Sequence, residues 1–115
     1  MSWRDWPRAP AAGTILCPLA AVAPTASLDL DGFPVLLVQG AGGLAGYVNA
    51  CPHQYLPLDF HGPNVLSEDG ARLICSAHQA CFDARDGALI CGPADDGLEA
   101  LPLALIDGMV VIGPD

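Results

Sequence analysis

Cys51-Pro52-His53 is followed, after twenty-one residues, by Cys75-Ser76-Ala77-His78. Each short segment offers one thiolate and one imidazole. A fold that brings the two segments together assembles four soft or borderline donors, a set suited to zinc or to an iron–sulfur centre. Any one of these residues alone would be read as a buried cysteine or a satisfied core histidine. Four of them at this spacing, in turn-rich sequence, point to a metal centre.

Outward from these segments the chain is built of short apolar runs broken by turn signals. Phe33 to Gln39 (FPVLLVQ) reads as a buried strand, entered through the turn Asp31-Gly32. Gly40-Ala41-Gly42-Gly43 then leads to Leu44 to Ala50 as its hairpin partner, which runs directly into Cys51. A rigid strand pair thus delivers Cys51 and His53, as a site of fixed geometry requires. Between the two donor segments, Phe60 to Ser67 and Ala71 to Ile74 are expected strands joined at Glu68-Asp69-Gly70. Beyond His78, Cys81-Phe82-Asp83 and Ala88 to Cys91 flank Arg85-Asp86-Gly87, and Leu98 to Leu105 faces Met109 to Ile112 across Asp107-Gly108. Thr14 to Val22 is a first strand with Pro18 marking an edge or bulge, and Cys17 within it is expected to be a buried thiol. Residues 1–13 are expected as an extended lead-in, with Trp3 and Trp6 packing on the domain.

A chain of 115 residues suits one domain, and 13 Gly with 11 Pro favour short strands and tight turns over long helices. Thirteen acidic residues against four basic ones give a net charge of −9. That balance argues against nucleic acid and anionic membrane surfaces as partners, and favours a basic protein face. Acidity also serves solubility in a small apolar-rich domain. Pro18, Pro24, Asp29, Asp31 and Pro34 interrupt the apolar N-terminal third, so no membrane span is expected. The prolines likewise argue against reading Thr14 to Ala26, behind Arg4 and Arg8, as a signal peptide. Five cysteines without a disulfide framework fit a reducing, cytoplasmic setting.

The pattern Cys-x-His then Cys-x-x-His, the stretch CPHQYLPLD at residues 51–59 and the stretch HQACFDARDGALICGPA at residues 78–94 carry a resemblance. The chain resembles a Rieske [2Fe-2S] ferredoxin-like protein of the soluble, disulfide-free type, over nearly its whole length after about residue 14. The resemblance implies an all-β fold: a Rieske-like antiparallel β-sandwich or barrel over residues 14–115, with a small cluster-binding subdomain at about residues 51–94. It implies a [2Fe-2S] cluster with Cys51 and Cys75 on one iron and His53 and His78 on the other. Two neutral imidazoles in place of two thiolates raise the potential relative to an all-cysteine cluster. Zinc is the competing metal, although structural zinc sites usually pair Cys with Cys and His with His.

Departures from the family pattern refine this expectation. Respiratory members carry two further cysteines that join the loops by a disulfide, at positions held here by Leu56 and Ala77. They also place serine and tyrosine hydroxyls near the cluster sulfurs, where this chain has Ala80 and Phe82. Fewer hydrogen bonds to sulfur imply a potential near the low end of the Rieske range, about −150 mV. Tyr55 and Gln79 stand where such ferredoxins commonly have glycine, and His61 is expected as a surface histidine. A two-residue turn would place Cys81 and Cys91 on opposite faces and a three-residue turn would set them opposite each other. Thiols packed near the cluster are the expected state.

A Rieske oxygenase needs a second iron held by two histidines and a carboxylate, and beyond the proposed ligands only His61 remains. The reading is therefore a one-electron carrier between a reductase and a terminal oxygenase. The alternatives are the small Rieske subunit of a nitrite reductase and a zinc-stabilised interaction module.

Overall fold

The structure, a computed structural model, describes residues 3–6, 8–50, 58, 65–75, 80–92 and 97–114. Its strands are β1 (Ile15–Pro18), β2 (Thr25–Leu30), β3 (Phe33–Gly40), β4 (Gly43–Val48), β5 (Arg72–Ile74), β6 (Cys81–Asp83), β7 (Leu89–Cys91), β8 (Ala100–Leu101), β9 (Leu103–Ile106) and β10 (Met109–Ile112). They form three antiparallel sheets, ordered β1-β10-β9, β2-β3-β4-β8 and β5-β6-β7. The fold is all-β, as expected. No helix among the described residues is long and apolar enough to cross a membrane.

The central sheet is a wall shared by two cores, and β3 explains why. Side chains alternate across a strand. Phe33, Val35 and Leu37 face one cluster, with Trp3, Cys17, Val22, Val48, Val110 and Ile112. Leu36 and Val38 face the other, with Tyr47, Leu58, Leu73, Cys75, Ala80 and Phe82. A strand buried on both faces reads as an unbroken apolar run, which is why FPVLLVQ stands out. Each fully buried aliphatic or aromatic side chain contributes about 1.5–3 kcal/mol of transfer free energy. The second cluster carries the small sheet β5-β6-β7 and hence the strands that flank residues 76–79.

Turn chemistry fixes the hairpins. Asp31 and Gly32 have φ of 56° and 97°, and Asp107 and Gly108 have 53° and 78°. Positive φ at both central residues defines the type I′ turn whose twist matches a two-stranded hairpin. Leu30 therefore pairs with Phe33, and Ile106 with Met109.

Four expectations need correction. Thr25–Leu30 is a strand that the sequence reading leaves unassigned. Its partly buried Ala26, Leu28 and Leu30 alternate with exposed Ser27 and Asp29, an amphipathic edge rather than an apolar run. The single strand expected over Leu98 to Leu105 is divided at Pro102, so that β8 joins the central sheet and β9 pairs with β10. Proline has no N–H for a ladder, and the Pro102 carbonyl instead accepts the Gly113 N–H at 2.9 Å. The strand expected over Thr14 to Val22 ends at Pro18 and passes into a 3-10 turn at Leu19–Ala21. The lead-in expected to be extended contains a 3-10 turn at Trp3–Asp5, which seats Trp3 edge-on to Phe33 with ring centroids 6.5 Å apart. Trp3 is buried and Trp6 packs against the same cluster. Cys17 is buried as expected, and burial pushes its thiol pKa up.

Candidate metal centre

Of the four expected ligands, Cys75 is described, while Cys51, His53 and His78 lie outside the described residues. So do Tyr55, Leu56, His61, Ala77, Gln79, Pro93, Ala94 and the segment Phe60 to Asn64 of an expected strand. Cys75 follows β5 directly and is fully buried among apolar side chains. Its backbone N–H donates to the Ala80 carbonyl at 2.9 Å. Residues 76–79, which include His78, therefore connect two residues that are hydrogen-bonded to each other.

The segment bearing Cys51 and His53 is moored at both flanks. The Asn49 N–H donates to the Pro34 carbonyl at 3.1 Å, and the Ala50 N–H to the Val48 carbonyl at 2.8 Å. The Asn49 side-chain oxygen accepts the Leu58 N–H at 2.8 Å in a buried position. Leu58 belongs to the same cluster as Cys75 and Ala80. Both donor segments thus connect to one core. Asn49 was missed at the sequence level, where its signal is a lone polar residue at the buried end of a strand, two positions before Cys51.

Three further contacts hold the small sheet in place. The Tyr47 hydroxyl donates to the Ala84 carbonyl at 2.9 Å across the core. Burial pushes the Tyr47 phenol above the usual tyrosine range, and the charges of Asp86 and Asp83 add to the shift. The Ala41 N–H donates to the Gly70 carbonyl at 2.8 Å, joining the β3–β4 turn to the turn before β5. Gly92, at φ 103°, lies against Ala80 so closely that a Cβ there would overlap the Ala80 backbone. That contact sets the residue after β7 against the residue before β6.

Cys81 and Cys91 are register partners on β6 and β7. The turn is not the three-residue loop that would place them so. The Asp83 N–H donates to the Ala88 carbonyl at 2.8 Å, leaving Ala84 to Gly87 as the connection. Phe82 pairs with Leu89, and a shift between Cys81 and Phe82 then brings Cys91 opposite Cys81. Ile90 is the extra residue of this bulge, and it is exposed.

The chemistry of the donors fits an iron–sulfur cluster. Cys75 presents its thiol from a dry, apolar setting, the kind that excludes solvent from a metal centre and controls its potential. Ala80 and Phe82 are both fully buried beside it and carry no hydroxyl.

Residues 14–102 match the family model of the Rieske [2Fe-2S] domain, and the chain belongs to that family. It is accordingly an iron–sulfur protein of electron transfer that binds a [2Fe-2S] cluster. Among solved structures, the fold is similar to the ferredoxin of carbazole 1,9a-dioxygenase from Nocardioides aromaticivorans IC177. The identity is 20%, covering 91% of this chain and 100% of that one, with a TM-score of 0.74. It is equally similar to a Sphingomonas yanoikuyae B1 ferredoxin, with 23% identity, 90% and 99% coverage and a TM-score of 0.74. The terminal oxygenase of the Nocardioides dioxygenase overlays at 18% identity and a TM-score of 0.72, covering 90% of this chain and 30% of the oxygenase. No curated protein matches the chain.

Proposed function

We propose that this protein is the ferredoxin component of an oxygenase system. It accepts one electron from a flavin- or NAD(P)H-dependent reductase and donates it to a terminal oxygenase. The observation that carries the reading is the extent of the overlay, which takes in whole ferredoxins but 30% of the oxygenase chain. One structure similar in fold is a complex of reduced oxygenase and oxidised ferredoxin in carbazole 1,9a-dioxygenase, an arrangement that supports a docking role for this chain as well.

Cys51 and Cys75 would hold one iron, and His53 and His78 the other. When bound, the cluster supplies a one-electron couple at a potential above that of all-cysteine clusters. Cys75 holds its thiolate out of water. The Asn49–Leu58 hydrogen bond fixes the flanks of the first donor segment, and the Cys75–Ala80 hydrogen bond those of the second. The net charge of −9 favours transient docking on a basic face of the partner, in a reducing cytoplasm.

An electron paramagnetic resonance spectrum of the reduced protein tests the ligand set. A signal of the mixed histidine–cysteine type is expected, and an all-cysteine spectrum or a colourless protein without acid-labile sulfide would overturn it. Rapid, salt-sensitive electron exchange with a terminal oxygenase is expected of the carrier. Tight co-purification with a large haem subunit would instead identify a reductase subunit.

A further inference from the structure

We propose that Cys81 and Cys91 are a modification site: a thiol pair that closes to a reversible disulfide across β6 and β7, separate from the metal ligands. The register sets the two residues directly opposite. Opposed residues of an antiparallel pair have Cα atoms about 4.5–5.5 Å apart, within the range of about 4.4–6.8 Å that a disulfide spans. The Cys91 thiol is also the first cause that pushes the Cys81 thiol up, in keeping with that register. The bulge at Ile90 creates this juxtaposition, since the pairing of Phe82 with Leu89 continued without a shift would place Ile90 opposite Cys81.

Access favours the same pair. Cys91 is exposed and Cys81 partly so, whereas Cys17 and Cys75 are buried. Of the two opposed thiols, Cys91 is the one that solvent and a small disulfide reach first. Exposed Cys91 is therefore the entry point. Its thiolate attacks a low-molecular-weight disulfide of the glutathione type, forming a mixed disulfide and releasing one thiolate. Cys81, once deprotonated, attacks the Cys91 sulfur, forming the cross-strand bond and releasing the second thiolate. In balance, two protein thiols and one small disulfide become one protein disulfide and two small thiols.

The location gives the bond a consequence. Cys81 follows Ala80, Cys91 precedes Gly92, and Gly92 presses on Ala80. Closing the pair would fasten the strand ends that hold the Cys75–Ala80 hydrogen bond. This inference rests on strand register and does not depend on which redox partner the protein serves.

The test uses the cluster-loaded protein in glutathione buffers from fully reduced to mostly oxidised, quenched with N-ethylmaleimide and digested with trypsin without reductant. Cleavage after Arg72 and Arg85 puts Cys81 in peptide 73–85 and Cys91 in peptide 86–115. The expected product is these two peptides joined through Cys81 and Cys91, at the cost of two hydrogens, with visible absorption retained and the link reversed by dithiothreitol. C81S and C91S should each abolish it. The proposal is overturned if both thiols are alkylated at every ratio or if reaction stops at a glutathione adduct on Cys91. It is equally overturned if Cys91 links instead to Cys75 as the colour is lost.

Discussion

The side-chain oxygen of Asn49 accepts the backbone N–H of Leu58 at 2.8 Å inside the core, spanning the segment that carries Cys51 and His53. Replacing it by Leu or Ala removes a buried acceptor. An unmet buried donor costs about 1–3 kcal/mol, so N49A should lower the urea midpoint by that equivalent. If the bond also positions the first donor segment, iron and acid-labile sulfide per chain should fall together in N49A. Full cluster content at reduced stability would restrict Asn49 to a structural role.

Gly92 tests how closely the end of β7 must approach the second donor segment. Gly92 and Gly108 both have positive φ, at 103° and 78°. A Cβ on Gly108 meets nothing within 4 Å, whereas one on Gly92 overlaps the Ala80 backbone. G108A should therefore cost about 1–2 kcal/mol, the left-handed backbone penalty alone. G92A should cost about 1–3 kcal/mol more from overpacking, and should lower cluster content as Ala80 is displaced. Chemical denaturation of the two variants side by side is the measurement, and equal losses would remove the close contact from the account.

The sequence disclosed the parts whose cause is local. FPVLLVQ announces β3 because both of its faces are buried, and Asp31-Gly32 and Asp107-Gly108 announce their hairpins because positive φ favours those residues. The Cys-x-His and Cys-x-x-His spacing is legible because spacing is a property of sequence, and of its four residues the structure describes Cys75. β2 was missed because its Ala26, Leu28 and Leu30 make only one partly buried face. Its neighbour β3 supplies the reason for it to be a strand. The division at Pro102 was visible as a proline but not as a change of sheet, which depends on where β4 and β10 lie. Asn49 reaches a residue nine positions away, and the bulge at Ile90 shows only in how β7 pairs with β6. Neither is written in a local pattern.

Tyr47 gives a pH dependence of defined sign. Burial chiefly raises its phenol above the ordinary tyrosine pKa in the folded protein. Above about pH 10 the unfolded chain loses this proton while the folded one keeps it. The unfolded state then binds fewer protons, so stability falls as pH rises. The contribution is fully present below the unfolded pKa and is lost progressively above it, toward the folded value. Y47F should lose about 1 kcal/mol at neutral pH with its hydrogen bond to Ala84, and should lack this part of the alkaline decline. Urea midpoints of both proteins between about pH 8 and 11 supply the comparison. Parallel curves would show that Tyr47 is not the titrating group.

Ala80 and Phe82 lead to the last expectation, which concerns potential. Both are fully buried in the cluster that contains Cys75, and neither side chain can donate a hydrogen bond to a cluster sulfur. Donors to sulfur stabilise the reduced, more negative centre, so a chain without these hydroxyls should titrate near about −150 mV, at the low end for this ligand set. Restoring the hydroxyls one at a time, in A80S and F82Y, should move the potential upward. A hydrogen bond that strengthens by about 1 kcal/mol on reduction corresponds to about 40 mV for one electron. Redox titration followed by circular dichroism reads these shifts. A value well above zero for the unmodified protein would mean that other donors reach the sulfurs, and neither substitution would then be expected to raise it further.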